Sequence, residues 1–204
     1  MKRLHIEHPE DTILTGDLSV LDAFTADNNY SVKIDGSPAI VWGTDPENGK
    51  FFVGTKSVFN KITPKINYTV EDICRNHPDF ELQSILIRCL HCLPREEEVP
   101  FSVFQGDFIG FGGYRDYKPN SVSYSFDRVM NGGVVVAPHT YYTSPYKTSL
   151  RNMTAKPLTF VLLSGRGADF IQPDAWISEF GASMNIKTMV GFARQMATLV
   201  EFAT

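Results

Sequence analysis

The stretch "YSVKIDGSPAIVWG", residues Tyr30 to Gly43, is the most informative part of the sequence because it sets two charged residues in an apolar run. We expect a strand over 30–43, with Asp35-Gly36 as a bulge or as the bend that ends it. In a strand, Lys33 and Asp35 project to the same side because they are two residues apart. Two interpretations stay open: a surface ion pair, which stabilises little, or a lysine held in a pocket as a chemical group.

The rest of the chain predicts strands in the middle, with helices between and after them. The turn "TDPENGK" (44–50) joins the first strand to "FFVGTKS" (51–57) in a hairpin. Helical spacing of apolar residues covers 18–26, 69–93 and the end of the chain from 174. Further strands are predicted at "VPFSVFQGDFIGF" (99–111), "NSVSYSF" (120–126), "GGVVVAPHTYY" (132–142) and "PLTFVLLSG" (157–165). This order favours an α+β fold with a mainly antiparallel sheet over a doubly wound fold.

Composition is that of a globular protein. The chain has 204 residues, 43% of them hydrophobic and 21% charged, and its net charge of -4 gives no general attraction to nucleic acid. A local basic region that attracts nucleic acid stays open as an alternative to a solvated loop, because the stretch from Lys50 to Lys65 carries four lysines and no acid. We expect no signal peptide and no membrane span.

The cysteines predict neither a disulfide framework nor a zinc site. Three cysteines, Cys74, Cys89 and Cys92, are too few for a disulfide-stapled fold and favour the reducing cytoplasm. "CLHC" (89–92) has only half of a structural zinc site, because no second paired cluster follows it. We therefore expect Cys89 and Cys92 to pack on or near a helix.

K-x-D-G between two strands is typical of the covalent nucleotidyltransferases, namely ATP-dependent DNA ligases, RNA ligases and RNA-capping enzymes, and this sequence resembles them. "SVKIDGSPAIVWG" is similar to their first motif, "FFVGTKS" to the next hairpin strand, and "FSVFQGDFIG" to the third motif, with Gly106-Asp107 in place of Gly-Glu. "GGVVVAPHTYY" is similar to their base-stacking strand. The resemblance covers roughly residues 5–145 and is closest to ligase-like proteins of phages, through "DGSPAIVWG", "FQGDF", "YKPNSVSYSF" and "VVVAPHTYY".

The resemblance implies a ligase-type nucleotidyltransferase (ATP-grasp-like) domain over 1–165 and a helical C-terminal segment over 166–204. It implies ATP with Mg²⁺ or Mn²⁺ as cofactors, and nicked DNA or RNA ends as partners of a monomeric protein in a cytoplasm, for a phage protein that of its host. Its site residues would be Lys33, which attacks the α-phosphate; Asp35, which contacts the metal or positions Lys33; Gly36, beside which ligand approaches the backbone; Lys56, near the phosphates; Asp107, on the ribose or metal; and His139, stacked on the adenine.

Each of these residues also has a purely structural interpretation. Asp107 is also compatible with a turn, and Lys56 with a solvated side chain. His139 is also compatible with a satisfied, half-buried histidine, in which case Tyr141, Tyr142 or Phe59 would stack on the base instead.

Several family features differ in this chain. Ser37-Pro38 follows K-x-D-G where the family has an arginine, and Gly132 stands where a fourth motif would have its metal-binding glutamate. No K-x-K strand is visible; Lys147 and Lys156 are isolated. The chain is then a fragment, has a divergent tail, or has lost part of its catalytic set. Three functions stay open: a ligase-like adenylyltransferase, an incomplete module that binds nucleotide, nucleic acid or protein, and an RNA-capping or RNA-repair enzyme.

Overall fold

The structure is a computed structural model that describes residues 13, 15–23, 34–94, 103–144, 147–158 and 167–171. The chain forms two compact units, one of Met1–Leu4 with Lys33–Pro173 and one of His5–Val32 with Asp174–Thr204. The predicted boundary between residues 165 and 166 stays a prediction. Among the described residues, no helix has the length and apolar character needed to cross a membrane.

The described helix of the second unit, α1, spans Ser19–Ala23. The Asp17 carboxylate accepts a hydrogen bond from the Ser19 amide at 2.9 Å, so it satisfies a backbone donor at the start of the helix. The predicted helix at 18–26 is thus confirmed over its described part.

Strands dominate the described part of the first unit. They are β1 (Ala39–Thr44), β2 (Phe51–Gly54), β3 (Val103–Gly110), β4 (Tyr114–Tyr117), β5 (Tyr124–Met130), β6 (Val134–Thr143), β7 (Thr154–Pro157) and β8 (Ala168–Phe170). The helices are α2 (Val70–Asn76) and α3 (Phe80–Cys92), with the 3₁₀ helices η1 (Lys56–Phe59) and η2 (Leu150–Asn152).

The strands form a large sheet and a small one. In the large sheet the order is β2-β1-β3-β6-β7, and all these neighbours are antiparallel, whereas β8 pairs with β6 in parallel. β4 and β5 form a separate antiparallel pair. The predicted α+β class with mainly antiparallel sheets is therefore confirmed, including the hairpin of β1 and β2.

One face of the large sheet packs against α2 and α3. The Thr69 hydroxyl and the Asp72 carboxylate cap α2 reciprocally, and the Asp79 side chain caps α3. The core on this face is one apolar cluster; its buried members include Ile40, Trp42, Phe104, Phe108, Val134 and Val136 from the sheet and Ile73, Ile85, Leu86, Cys89 and Leu90 from the helices. We call this side of the sheet the helix-packed face.

The opposite side, which we call the open face, has two separate apolar clusters. The first cluster joins strand residues such as Val41, Val103 and Tyr142 to Val58 of η1 and Leu150 of η2. The second joins Ile109, Val135 and Ala137 of the large sheet to Tyr117 and Met130 of the small sheet. The 3₁₀ helices therefore cover one end of the open face, and the small sheet covers the other.

The prediction of a strand over 30–43 is wrong for residues 34–38, because the strand begins at Ala39. Residues 30–33 lie outside the described part. At Gly36 the backbone runs so close to β3 that a Cβ atom would lie 2.1 Å from the Phe108 carbonyl oxygen. The segment thus reaches β1 by crossing against β3 rather than by extending β1.

Other element predictions are confirmed in outline. The helical region 69–93 is two helices, because His77 ends α2 and Asp79 begins α3 as its cap. β5 begins at Tyr124, inside "NSVSYSF", and Cys89 and Cys92 lie on α3 as expected. Most of "PLTFVLLSG" and the predicted final helices lie outside the described residues.

Candidate functional site

Polar side chains occupy the middle of the open face, between its two apolar clusters. They are Gln105 and Asp107 of β3 and His139 and Thr140 of β6, and we call them the polar strip. The register places Gln105 between Val41 of β1 and Thr140 of β6. It places Asp107 between Ala39 of β1 and Ala137 of β6. Both strand neighbours of Asp107 are therefore alanines.

A β-bulge at His139 turns this side chain toward Asp107. Gln105 pairs with Thr140, but the next residue, Gly106, pairs with Pro138, so His139 is the extra residue of β6. The bulge brings the β6 backbone close to β3, since a Cβ atom on Gly106 would lie 2.7 Å from both the Ala137 oxygen and the Pro138 Cα. Glycine at 106 is therefore what lets this bulge form beside Asp107.

Asp107 and His139 face each other across the two strands. The His139 Nε2 atom lies 3.6 Å from Asp107 Oδ1, and the two side chains are only 14% and 13% exposed. The distance exceeds that of a hydrogen bond, so the pair attracts chiefly when the imidazole is protonated. His139 Nδ1 lies 2.8 Å from the Thr140 hydroxyl, which holds the ring in place.

The Gln105 side chain is held by a hydrogen bond from Tyr142 of β6. The Tyr142 hydroxyl donates a hydrogen bond of 2.7 Å to Gln105 Oε1, and both residues are buried. The polar strip thus has a fixed, satisfied end at Gln105 and a partly exposed end at Asp107 and His139. The second end carries a carboxylate and an imidazole that keep some exposure to solvent.

The segment from Ile34 to Pro38 lies along the Asp107 end of the strip. Gly36 contacts the backbone of Phe108, the residue after Asp107, and the Phe108 amide donates to the Pro38 oxygen at 3.0 Å. The small sheet holds the same segment: the Asp35 amide donates to the Tyr124 hydroxyl at 3.1 Å, and the Asn120 side-chain amide donates to the Asp35 oxygen at 3.0 Å. Asp35 is therefore fixed by its backbone from two directions.

The structure brings three of the six predicted site residues into one region: Gly36, Asp107 and His139. Asp35 is next to Gly36 and is half-buried. Lys33 lies outside the described residues. Lys56 is exposed on η1 and makes no hydrogen bond or ion pair with the described strip, although η1 begins just beyond Gly54, which pairs with Val41 of β1.

The aromatic alternatives to His139 are engaged elsewhere. Tyr142 is buried with its hydroxyl on Gln105, and its ring lies 4.5 Å from that of Phe59. Tyr141 packs with the apolar cluster of the helix-packed face, because the bulge reverses which side of β6 each residue occupies. Among these four candidates, His139 is the ring placed beside Asp107.

The acidic residues of the region fit a hard cation only in part. No group of three or more histidine, cysteine, aspartate or glutamate side chains in the described part of the chain has the geometry to hold a metal. Asp107 offers one carboxylate to this region, whereas the contacts of Asp35 given above are made by its backbone. Mg²⁺ is commonly held by one or two carboxylates together with substrate phosphates and water.

Sequence reasoning missed the residues that support the site. Tyr124 and Asn120 lie in "YKPNSVSYSF", but nothing local shows that they reach Asp35, 89 and 85 residues away along the chain. The bulge had one visible signal, a proline within a strand opposite a glycine, because Pro138 offers no amide to the ladder.

Comparison with known proteins identifies a family but no characterised relative. Residues 3–199 match a family described as a family of unknown function (DUF6267). No curated protein matches the chain, and no solved structure matches it.

Proposed function

The chain belongs to the DUF6267 family, and we propose that it is an ATP-dependent nucleotidyltransferase of the nucleic-acid ligase type. Lys33 forms a lysyl-AMP intermediate, and the AMP is then used to seal or modify DNA or RNA ends. One observation carries the proposal. The segment that follows Lys33 lies against β3 at Phe108, directly beside Asp107 and its partner His139. Two stretches that resemble nucleotidyltransferase motifs therefore meet at one end of the polar strip.

The first step of the reaction takes place at the Lys33 amine. Its neutral amine attacks the α-phosphorus of ATP and a P–N bond forms. The bond from that phosphorus to the bridging oxygen breaks, pyrophosphate leaves with the electron pair, and the amine releases a proton to solvent. In the second step an oxygen of a 5′-phosphate attacks the phosphorus of the lysyl-AMP, the P–N bond breaks, and the lysine amine leaves and takes up a proton. In the third step a 3′-hydroxyl loses its proton and attacks the phosphorus of that 5′-phosphate, a phosphodiester bond forms, and AMP leaves with the electron pair of the broken P–O bond. A free lysine has a pKa near 10.4, so its surroundings must favour the neutral form.

The described residues supply positioning and charge. The His139 ring stacks on the base, and the carboxylate of Asp107 accepts a ribose hydroxyl or binds the metal. Gly36 lets the nucleotide approach the backbone. When bound, Mg²⁺ or Mn²⁺ would neutralise charge on the triphosphate, held by Asp35 and Asp107. Lys56 adds positive charge near the beginning of β1, where Ala39 pairs with Asp107.

Adduct formation tests the proposal directly. The purified protein is incubated with α-labelled ATP and Mg²⁺ or Mn²⁺, and its intact mass is measured; we expect the mass of one AMP to be added. Lys33→Arg keeps the charge but removes the nucleophile, so it should form no adduct. Lys50→Arg, on the turn between β1 and β2, is the matched control and should be labelled like the wild type.

Asp107→Asn tests whether the charge of the Asp107 side chain contributes to labelling. We expect a slower rate of labelling with little change in stability, because asparagine keeps the shape of the side chain and removes only its charge. If neither ATP nor GTP forms an adduct with Mg²⁺ or with Mn²⁺, the proposed nucleotidyltransferase activity is refuted. Labelling by GTP alone would instead assign the protein to RNA capping.

A second candidate is a catalytically incomplete module that binds nucleotide, nucleic acid or protein without forming an adduct. One observation favours it: a side chain cannot enter at Gly132, where the resembling family has a metal-binding glutamate. A Cβ atom there would lie 2.4 Å from the Asp169 amide nitrogen, and the Gly132 amide donates to Asp169 Oδ2 at 2.7 Å. Calorimetric binding of ATP with no adduct would support this candidate.

A further inference from the structure

Two long stretches of the chain contain no acidic residue. One runs from Asn48 to Val70 and carries Lys50, Lys56, Lys61 and Lys65. The other runs from Arg128 to Ala168, and its described part carries Arg128, Lys147, Arg151 and Lys156. The whole chain has 23 acidic and 19 basic residues, so the missing acids are concentrated elsewhere. Such segregation within an acidic protein creates a local positive field.

The fold brings parts of these stretches together at η1 and η2. The Arg151 guanidinium donates to the Lys61 oxygen at 3.2 Å, although the residues are 90 positions apart. Beneath this contact, Val58 of η1 packs in one apolar cluster with Leu150 and Met153 of the second stretch. These contacts join the parts of the two stretches around η1 and η2 into one surface, and we call its cations, Lys56, Lys61, Lys65, Lys147 and Arg151, the basic face. Lys156 is not among them, because it pairs with Tyr141, which packs on the helix-packed face.

The cations of the basic face point to solvent. Lys56, Lys61, Lys147 and Arg151 are exposed, and Lys65 is half-buried. None of the five forms a salt bridge with another described residue. One acid borders the face, Glu47, which lines a groove together with Arg151, Asn60 and Ser149. Cations that share one surface repel one another, so a bound polyanion would offset this repulsion.

We propose that the basic face binds the sugar–phosphate backbone of nucleic acid. Dispersed lysines and an arginine match a row of phosphates, and each contact releases condensed counterions from the polymer. Ile62, which is 92% exposed, is a single large apolar side chain on this face, whereas membrane surface binding requires a broader apolar surface. Naming nucleic acid rests in part on the proposed function, whose acceptor is a nucleic-acid end.

The test measures binding separately from adduct formation. Fluorescence anisotropy follows a labelled nicked duplex, and then a single strand, over a range of salt concentrations. The variant Lys61→Glu/Lys147→Glu is compared with Lys118→Glu/Lys156→Glu, which makes the same change in net charge with exposed lysines outside the face. We expect the first to weaken binding about tenfold or more at about 0.1 M salt and to lower the salt slope by about 2.

Each outcome decides the proposal. The control variant should bind within about twofold of the wild type. Equal losses in both variants, no binding by the wild type, or binding to vesicles rich in anionic lipid in place of nucleic acid would overturn it. AMP labelling without nucleic acid should be unchanged in Lys61→Glu/Lys147→Glu. Nucleic-acid binding that depends on the face, in a protein that forms no adduct, would refute the proposed function and leave the basic face standing.

Discussion

The two faces of the large sheet bury polar side chains in different ways. Beside α2 and β2, Asn67 and His77 are 0% and 4% exposed, and their hydrogen-bond partners are uncharged groups. On the open face, Asp107 and His139 keep 13% and 14% of their surface exposed and form a pair that can carry charge. The first arrangement joins α2 to the sheet, whereas the second leaves a carboxylate and an imidazole partly exposed to solvent.

The difference comes from what covers each face. Helices α2 and α3 close one face with a single apolar cluster, so polar groups there are cut off from water, and the Trp42 Nε1 atom has no hydrogen-bond partner among the described residues. On the open face the 3₁₀ helices and the small sheet cover opposite ends, and the polar strip lies between them. We infer that the helix-packed face contributes mainly stability and the open face mainly function.

The largest expected effect tests the stability half of this comparison. Leu86→Ala removes a side chain that is 0% exposed from the center of the helix-packed cluster. We expect the free energy of unfolding to fall by about 2–5 kcal/mol, measured by urea denaturation. Ile62→Ala, at a position 92% exposed, should change it by less than about 0.5 kcal/mol. A similar cost for both would show that α3 does not close a core.

Gly106→Ala tests whether the bulge builds the site. The new Cβ atom would meet the β6 backbone at 2.7 Å, so β6 has to shift at His139. We expect a loss of about 1–3 kcal/mol in unfolding free energy, and a loss of AMP labelling larger than the loss of folded protein explains.

Gly133→Ala is the matched control for this change. Its closest contact would be the Cys92 Sγ atom at 2.4 Å, a side-chain atom that packs with the cluster of the helix-packed face. This variant should lose stability while its folded fraction labels normally. If Gly106→Ala labels as well as Gly133→Ala does, the bulge is not part of the site.

Local patterns were enough to predict the hairpin of β1 and β2 and the helical region. The roles of Asp107 and His139 come from the resemblance and stay predictions. Local patterns were not enough for the strip, because the bulge at His139 changes which residues of β6 share a face. Simple alternation would put Tyr141 on the same side as His139, but the structure puts it on the other. Contacts such as Tyr124 with Asp35 depend on how the small sheet packs, and a local pattern carries no information about that.

Tyr124→Phe tests how the open face holds its entering segment. The change removes the hydroxyl that accepts from the Asp35 amide and keeps the ring. We expect a loss of about 0.5–1.5 kcal/mol in stability and faster hydrogen exchange at the Asp35 amide, measured by NMR or mass spectrometry. AMP labelling should slow with a larger change in rate than in the KM for ATP.

Tyr114→Phe provides the comparison on the same small sheet. Tyr114 is 65% exposed, so its hydroxyl is accessible to water. Exchange at Asp35 should stay as in the wild type. Unchanged exchange in Tyr124→Phe as well would mean that the hydroxyl does not hold the segment.

The smallest effect concerns pH and His77. Burial, followed by the charge of Lys65, lowers the pKa of His77 from its usual value of 6.5. The Asn67 side-chain amide also donates to the Val53 oxygen at 2.9 Å. This bond turns the same amide nitrogen toward His77 Nε2 at 3.4 Å and favours an unprotonated Nε2.

As the pH falls below the pKa that His77 has in the unfolded chain, the unfolded chain binds more protons than the folded one. The contribution of His77 to the free energy of unfolding should therefore be fully present at about pH 7.5 and fall toward about pH 5.5. Urea unfolding at both pH values should show this fall reduced in His77→Gln but kept in His91→Gln, whose imidazole is exposed on α3. A wild-type stability that rises as pH falls over this range would contradict a buried neutral His77 and weaken the contrast between the two faces.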